Sequence, residues 1–151
     1  MIGNSGVIGD YELRGHLGGG GQGCVYYAVN WLTGEECALK IYHDDFDERR
    51  VVREASSLKG RNIPCFPRIL DSGSVNLEGR DRLYVAFEFI EGVTLESRLI
   101  RGTLDEKDAM SLGISIASCV DALWRHRIVH RDIKPKNIMI DSEGSFVLID
   151  L

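Results

Sequence analysis

Hydrophobic residues in the first ninety positions form short runs that alternate with polar residues or cluster β-forming side chains. Five such runs fit half-buried strands, and they cover residues 11–17, 24–30, 35–42, 68–75 and 82–89. Thr33 and Gly34, between the second and third runs, have the composition of a tight turn. The pattern therefore predicts a β-rich N-terminal region.

One short helix is predicted among these strands. Asp45 can cap its start, Glu48 follows at capping-box spacing, and Gly60 can end it. Its apolar stripe, with spacings of four and three residues, consists of Val51, Ala55 and Leu58.

Helical periodicity replaces strand periodicity beyond Gly92. A second capping-box pattern, Thr103-Leu104-Asp105-Glu106, opens an amphipathic helix that is predicted to run to about Arg127. Apolar residues three and four positions apart form its stripe: Ala109, Leu112, Ile116, Val120 and Leu123. A polar loop follows at 130–137, and the apolar runs 138–140 and 146–149 are predicted to form a β-hairpin with its turn at 141–144.

Composition and charge narrow the function classes. The chain has 151 residues, 44% of them hydrophobic and 27% charged, which is ordinary for one globular domain. A net charge of -5 argues against a nucleic-acid platform. We expect no membrane association, because the sequence shows neither a signal peptide nor an apolar run of bilayer length. The four cysteines form no C-x-x-C pair, so we expect reduced thiols in a cytoplasmic protein.

Residues 17–25 contain the spacing G-x-G-x-x-G, followed two positions later by a valine. Glycines let a backbone approach phosphate groups closely and direct its amides at them. A glycine-rich run can also be a simple flexible turn between strands. A dinucleotide-binding turn needs a helix after it, whereas residues 25–29 are strand-like, so a β-hairpin that covers phosphates fits better.

Lys40 ends an apolar, β-type run that follows the glycines. A lysine in such a place is commonly only solvated, but here it could reach the same phosphates. Glu54 borders the stripe of the predicted short helix, so it is the natural partner for the Lys40 ammonium, and an exposed glutamate is the alternative.

The polar loop at 130–137 carries the most specific chemistry. Asp132 could accept or orient a hydroxyl proton, and Lys134 could neutralise a transferring phosphoryl group. Asn137 offers a hard oxygen ligand to a divalent cation, and Asp150, at the end of the predicted hairpin, could complete a magnesium site. A random polar loop would rarely combine these residues.

Taken together, these motifs resemble the catalytic domain of eukaryotic-type serine/threonine protein kinases. The glycine-rich loop with Val25, the Ala38-Leu39-Lys40 strand end and the loop at 130–137 match the family signatures in order, and Asp150-Leu151 matches the start of the D-F-G motif. The resemblance implies an α+β, protein-kinase-like fold, with a complete β-rich N-terminal lobe and the first part of a helical C-terminal lobe. It implies an N-terminal extension at 1–10, a five-stranded antiparallel sheet with one helix at 11–90, and a hinge and partial C-terminal lobe at 91–151.

The resemblance also implies roles for individual residues, with ATP and Mg²⁺ as cofactors. Asp132 would serve the substrate hydroxyl and Lys134 the γ-phosphate, while Asn137 and Asp150 would hold magnesium. Lys40 would hold the α- and β-phosphates and pair with Glu54, so that these two residues complete the catalytic set. The implied ATP-binding residues are Leu17, Gly18, Gly19, Gly20, Gly21, Gln22, Gly23, Cys24, Val25, Ala38, Lys40, Phe87, Glu88, Ile90 and Met139.

The sequence ends at Leu151, before the glycine of D-F-G and the later segments of the family. We therefore expect this chain to carry the ATP-binding and catalytic-loop part of a kinase that phosphorylates protein Ser/Thr hydroxyls. The apolar face of the predicted helix at 103–127 would then be open to a partner or to self-association. The alternative is a truncated or split kinase-like module that binds nucleotide or a partner and has little activity by itself. A dinucleotide-dependent oxidoreductase would leave the loop at 130–137 unexplained.

Overall fold

The computed structural model describes residues 6–43 and 47–150. These residues form two compact units. The first unit contains the residues up to Gly60 together with Arg68–Phe89, and the second contains Arg61–Pro67 and the chain from Ile90 onward. The segment Arg61–Pro67, predicted to lie in the N-terminal lobe, belongs to the second unit, where the Cys65 carbonyl accepts a 2.8 Å hydrogen bond from the Leu148 amide.

The first unit is built on an antiparallel sheet of six strands. The predicted count of five was wrong, because a short strand at Gly6–Ile8, inside the predicted extension, pairs with the strand that begins at Tyr11. The sheet order is β1-β2-β3-β4-β6-β5. The strands are β1 Gly6–Ile8, β2 Tyr11–Gly20, β3 Gly23–Asn30, β4 Glu36–Tyr42, β5 Ile69–Leu77 and β6 Arg80–Glu88.

Alternating residues of these strands form the hydrophobic core of the first unit, because successive side chains of a strand point to opposite faces. The buried cluster includes Leu13 of β2, Tyr26 and Ala28 of β3, and Leu39 and Ile41 of β4. Residues one position away along β3 and β4, Val25 and Lys40 among them, therefore lie on the opposite face of the sheet.

Helix α1, Glu48–Leu58, confirms the predicted short helix and its stripe, since Val51, Ala55 and Leu58 are buried. Its cap is Asp47, whose side chain accepts a hydrogen bond from the Arg50 amide. The predicted cap, Asp45, lies outside the described residues. An Asp at the N-cap position satisfies one of the amides that the first helical turn leaves unpaired.

The second unit combines two helices with a three-stranded antiparallel sheet of order β7-β8-β9. The predicted hairpin is confirmed by the pairing of β8 with β9. The elements are β7 Gly92–Thr94, α2 Leu95–Leu99, α3 Glu106–Arg125, a short 3-10 helix at Pro135–Asn137, β8 Ile138–Asp141 and β9 Phe146–Leu148. Helix α3 is capped by Asp105, whose side chain accepts a hydrogen bond from the Asp108 amide. The helix therefore begins two residues later than a cap at Thr103 would place it.

The buried face of α3 differs from the predicted stripe. Leu123 is buried as predicted, but Cys119 is fully buried, while Ala109 and Val120 are exposed. A second set of apolar residues on α3 is exposed: Met110, Ile114, Val120 and Trp124. Because α3 is apolar on two sides, spacing alone did not identify the face that packs against β9. That a partner or a second copy covers the exposed face stays a prediction.

The four cysteines are free thiols. Burial raises the pKa of the Cys37 and Cys119 thiols to about 12, so both remain protonated and act as small packing groups. In the part of the chain that the structure describes, no helix combines the length and the apolar character needed to span a membrane.

Candidate active site

The glycine-rich segment forms the tip of the β2–β3 hairpin. Gly18 pairs with Val25, Gly19 with Cys24 and Gly20 with Gly23, and the chain turns at residues 21–22. A strand rather than a helix follows the glycines, as the sequence predicted. The hairpin places backbone amides of several small residues at one exposed end of the first unit.

Gly23 is packed against the backbone of the neighbouring strand. A Cβ atom at this position would lie 2.1 Å from the carbonyl oxygen of Ile41. A Cβ atom at Gly18, Gly20 or Gly21 would meet nothing within 4 Å. The third glycine of the motif is therefore required by the fold itself, whereas the others leave open space beside the hairpin.

Several of the predicted ATP-binding residues share one face of the sheet. Val25 lies opposite Lys40, and Ala38 lies opposite Phe87 on the other neighbouring strand. Directly opposed residues of antiparallel strands point to the same side. Leu17, next to a register shift in β2, leaves half of its surface exposed. The first unit thus brings Val25, Ala38, Lys40 and Phe87 together on one face, as an adenine and phosphate site would need.

The Lys40 side chain is buried, with 3% of its surface exposed. Its Nζ donates a 2.6 Å hydrogen bond to Oε1 of Gln22, at the tip of the glycine hairpin. The ammonium also lies 4.6 Å from the centre of the Tyr42 ring, within the range of a cation–π contact. Strand β4 therefore places a positive charge directly beneath the glycine-rich turn.

Glu54 is also buried, but its carboxylate is not paired with Lys40 as predicted. Its Oε1 accepts a 2.9 Å hydrogen bond from Nε of Arg50, one helical turn earlier on α1. Residues four apart on a helix are neighbours, so Arg50 reaches the carboxylate without any movement of the helix. The prediction correctly placed Glu54 on the inward face and chose the wrong cation.

Two of the predicted ATP-binding residues, Glu88 and Ile90, belong to different units. Glu88 belongs to the first unit, where its amide donates to the Arg68 carbonyl at 2.8 Å and its carboxylate contacts the Arg68 guanidinium at 3.3 Å. Ile90 belongs to the second unit. Arg68 thus holds the end of β6 through both backbone and side chain. That Glu88 and Ile90 bind ATP stays a prediction.

The polar loop of the second unit centres on the Asp132 carboxylate. Its Oδ2 accepts hydrogen bonds from Lys134 Nζ at 2.7 Å and from Asn137 Nδ2 at 2.9 Å. The hydrogen bond from Lys134 is the main reason that the pKa of Asp132 lies below its usual value; Asn137 also lowers it, and partial burial opposes both. Asp132 therefore stays ionised at neutral pH and can accept a hydrogen bond from a hydroxyl group.

Asn137 is buried and connects Asp132 to the segment that leads to Asp150. Its side-chain Nδ2 donates to the Asp132 backbone carbonyl at 2.9 Å as well as to the carboxylate. Its backbone carbonyl accepts a hydrogen bond from the Ile149 amide at 2.8 Å. Because the amide nitrogen is used in these bonds, the remaining group of the side chain is a carbonyl oxygen, a ligand that Mg²⁺ prefers. Asp150 follows Ile149 directly.

His130 begins the loop, and its imidazole makes hydrogen bonds to two backbone segments. Its Nδ1 accepts a 3.4 Å hydrogen bond from the Asp132 amide, so Nε2 carries the proton that is shared with the Ile149 carbonyl at 3.0 Å. Arg131 and Asp150 have φ angles of 68° and 69°, in the left-handed region that costs non-glycine residues energy. The imidazole thus fixes two strained backbone positions, one before Asp132 and one at Asp150.

Each unit therefore assembles one part of the predicted site. The first brings together the glycine hairpin, Val25, Ala38 and Lys40, and the second brings together Asp132, Lys134, Asn137 and the segment ending at Asp150. Met139, on β8, lies opposite Val147 and Thr94 in the small sheet. Two contacting residues were missed by sequence reasoning, Arg50 and Tyr42, and neither belongs to one of the sequence motifs.

Known proteins resemble this chain along almost its whole length. The family described as "Protein kinase domain" matches residues 11–151. Serine/threonine-protein kinase PrkC of Bacillus subtilis is 35% identical over 150 residues, which are 95% of this chain and 22% of that protein. CBL-interacting serine/threonine-protein kinase 8 of Arabidopsis thaliana is 32% identical over 95% of this chain and 33% of its own length. The chain thus spans only a fifth to a third of these relatives.

Solved structures resemble the fold. The PknI kinase domain of Mycobacterium tuberculosis has a TM-score of 0.85 over 99% of this chain and 62% of its own, with 20% sequence identity. The structure described as PpkA-294 in its apo form has a TM-score of 0.79 at 23% identity, over 99% of this chain and 61% of its own. At these identities the likeness concerns the fold alone.

Proposed function

This chain belongs to the protein kinase domain family, and on that premise we propose that it carries the ATP-binding and catalytic-loop residues of a protein serine/threonine kinase. The reaction would transfer the γ-phosphate of ATP to a Ser or Thr hydroxyl of a protein substrate. Lys134, two residues after Asp132, follows the pattern typical of serine/threonine rather than tyrosine kinases. We also propose that the protein is cytoplasmic, because its cysteines are expected to be reduced thiols.

The observation that carries this proposal is the convergence of Lys134 and Asn137 on the Asp132 carboxylate. The carboxylate is ionised, so it can orient an incoming hydroxyl and accept its proton as the phosphoryl group is transferred. Lys134, 2.7 Å away, brings a positive charge to the point where negative charge develops on the phosphoryl oxygens. Asn137 fixes the position of both backbone and carboxylate of Asp132.

The donor set fits the two groups that the family implies. Magnesium would take oxygen ligands from Asn137 and Asp150, and the phosphates of ATP would be held by the glycine hairpin and the Lys40 ammonium. Bound together, magnesium and ATP supply the activated phosphoryl group and neutralise part of its charge. The chain's own residues bind these groups, orient the hydroxyl and exclude water from the buried lysine.

The first test is thermal unfolding of this chain with ATP and magnesium. Ligand at about a hundred times its dissociation constant stabilises a folded protein by about 2.7 kcal/mol, so we expect a clear magnesium-dependent rise in Tm. The double variant Lys40→Ala/Asp150→Asn should lose that rise. The variant Lys107→Ala/Glu143→Gln makes the same charge changes at exposed positions and should keep it. A chain that melts cooperatively but shows no shift would contradict the proposal.

A second candidate function is nucleotide binding with little phosphoryl transfer. It is favoured by the contact of Glu54 with Arg50, because this carboxylate is then bound by an arginine of its own helix, whereas active kinases use the corresponding carboxylate to position their lysine. We expect transfer of γ-phosphate to a generic basic protein substrate to be weak in the wild type and to rise severalfold in Arg50→Ala. Arg53→Ala, an exposed arginine on the same helix, should change nothing. Robust wild-type transfer that is lost in Asp132→Asn would instead support the first function alone.

A further inference from the structure

We propose that Gln22 is an internal competitor for the Lys40 ammonium, and that it lowers the affinity of this chain for the phosphate groups of ATP. The inference rests on the function proposed above and adds a residue that sets nucleotide affinity. The Gln22 side-chain oxygen lies 2.6 Å from Lys40 Nζ, where it accepts a hydrogen bond that a phosphate oxygen could accept in its place.

The backbone at Gln22 and at the residue after it is held by strand β4. The Gln22 carbonyl accepts a 3.0 Å hydrogen bond from the amide of His43, just beyond the end of β4. The next residue, Gly23, pairs with Tyr42 and is packed against the Ile41 carbonyl. The pairing of β3 with β4 therefore fixes the backbone of Gln22. From this position its side chain extends to Lys40, which lies on β4.

The environment of Lys40 explains why this contact matters. The side chain is 3% exposed, and a buried ammonium is costly without hydrogen-bond acceptors around it. An amide oxygen is a neutral acceptor, whereas a phosphate oxygen is charged and forms a stronger, charge-assisted hydrogen bond. ATP can therefore displace Gln22. Its apparent affinity is lower than its intrinsic affinity, because the phosphates can bind only the fraction of molecules in which the Gln22–Lys40 hydrogen bond is broken.

The test compares ATP binding by calorimetry across three variants of the chain. Gln22→Ala should bind ATP about tenfold more tightly than wild type, the size of one hydrogen bond to a charged group. Gln22→Glu should bind about tenfold more weakly, because a carboxylate pairs strongly with the ammonium and repels phosphates. Ser74→Glu adds the same charge at an exposed position of β5 and should match the wild type. Adenosine, which has no phosphate, should bind all of them equally.

A second measurement requires no nucleotide. The rate at which a sulfonated N-hydroxysuccinimide ester acetylates Lys40, followed by peptide mass spectrometry, reports how well the ammonium is covered. Gln22→Ala should raise this rate severalfold. Equal rates and equal ATP affinities in Gln22→Ala and wild type would overturn the proposal. If no variant binds ATP, the proposed function has failed, and the acetylation rate alone then decides whether Gln22 covers Lys40.

Discussion

Gly23→Ala should lower the free energy of unfolding by at least about 4 kcal/mol, at the upper end of what single substitutions cost. The added methyl group would lie 2.1 Å from the Ile41 carbonyl oxygen and 3.0 Å from the Tyr42 Cα atom. These are backbone atoms of a paired strand, so they cannot rotate aside as a flexible side chain could. This clash can be relieved only if β3 and β4 move apart at Gly23, next to the hydrogen bond between Gln22 and Lys40.

Gly20→Ala is the matched control for this prediction. It lies directly opposite Gly23 in the same hairpin, and a methyl group there would meet nothing within 4 Å. We expect its stability to stay within about 0.5 kcal/mol of the wild type, as for most surface substitutions. Urea unfolding of both variants measures the difference, and similar losses of stability in the two would contradict the steric explanation. ATP titrations of Gly20→Ala would then show whether the open glycines are needed for the approach of phosphates.

This contrast between glycines illustrates what sequence spacing could and could not predict. Spacing predicted a hairpin correctly, because a strand rather than a helix follows the glycines, and that this hairpin binds phosphate stays a prediction. It treated Gly18, Gly20 and Gly23 alike, because it does not show which of them touches a neighbouring strand. That distinction depends on the register in which Gly23 faces Tyr42.

The predictions that were wrong depended on choices between nearby alternatives. Strand β1 has three residues, and only Ile8 is buried, so it offers no alternation for a pattern to detect. On α1 the inward position of Glu54 was predictable, but its partner was not, because Arg50 lies one turn earlier on the same helix and pairs with the carboxylate. On α3 the apolar residues occur on two sides, so the choice of Cys119 over Val120 for the core is made by packing against β9.

The contacts within the loop at 130–137 followed most directly from the sequence, because they join residues that are close together along the chain. The three polar residues of this loop are at most five positions apart: Asp132, Lys134 and Asn137. The 3-10 helix at Pro135–Asn137 brings the Asn137 side chain to the Asp132 carboxylate. What the sequence lacked was the connection to Asp150 through His130 and Ile149, which spans about twenty positions and depends on the β8–β9 hairpin. The roles of these residues in catalysis stay predictions.

Asn137→Asp should lower the free energy of unfolding by about 3 kcal/mol at neutral pH, although it changes a single atom. In the wild type, Asn137 Nδ2 donates to two oxygens of Asp132, each at 2.9 Å. A carboxylate oxygen in its place donates nothing and repels both acceptors. Asn76→Asp is the matched control, since Asn76 also donates to an aspartate, Asp81, at 2.8 Å but at an exposed position. Its cost should be below about 1 kcal/mol, because solvent screens surface charges.

The pH dependence separates this repulsion from a general loss of packing. In the wild type the pKa of Asp132 is lowered in the folded state, so its contacts add stability above the unfolded carboxyl pKa of about 3.9, and that stability is lost as pH falls through the folded value. In Asn137→Asp, two neighbouring carboxyls favour sharing a proton, which supplies an O–H donor in place of the lost N–H. The deficit should therefore be largest at neutral pH and shrink toward about pH 4, as urea unfolding at both values would measure. A deficit of equal size at both pH values, as expected for Asn137→Ala, would mean that Asn137 acts through its volume rather than through its bonds to Asp132.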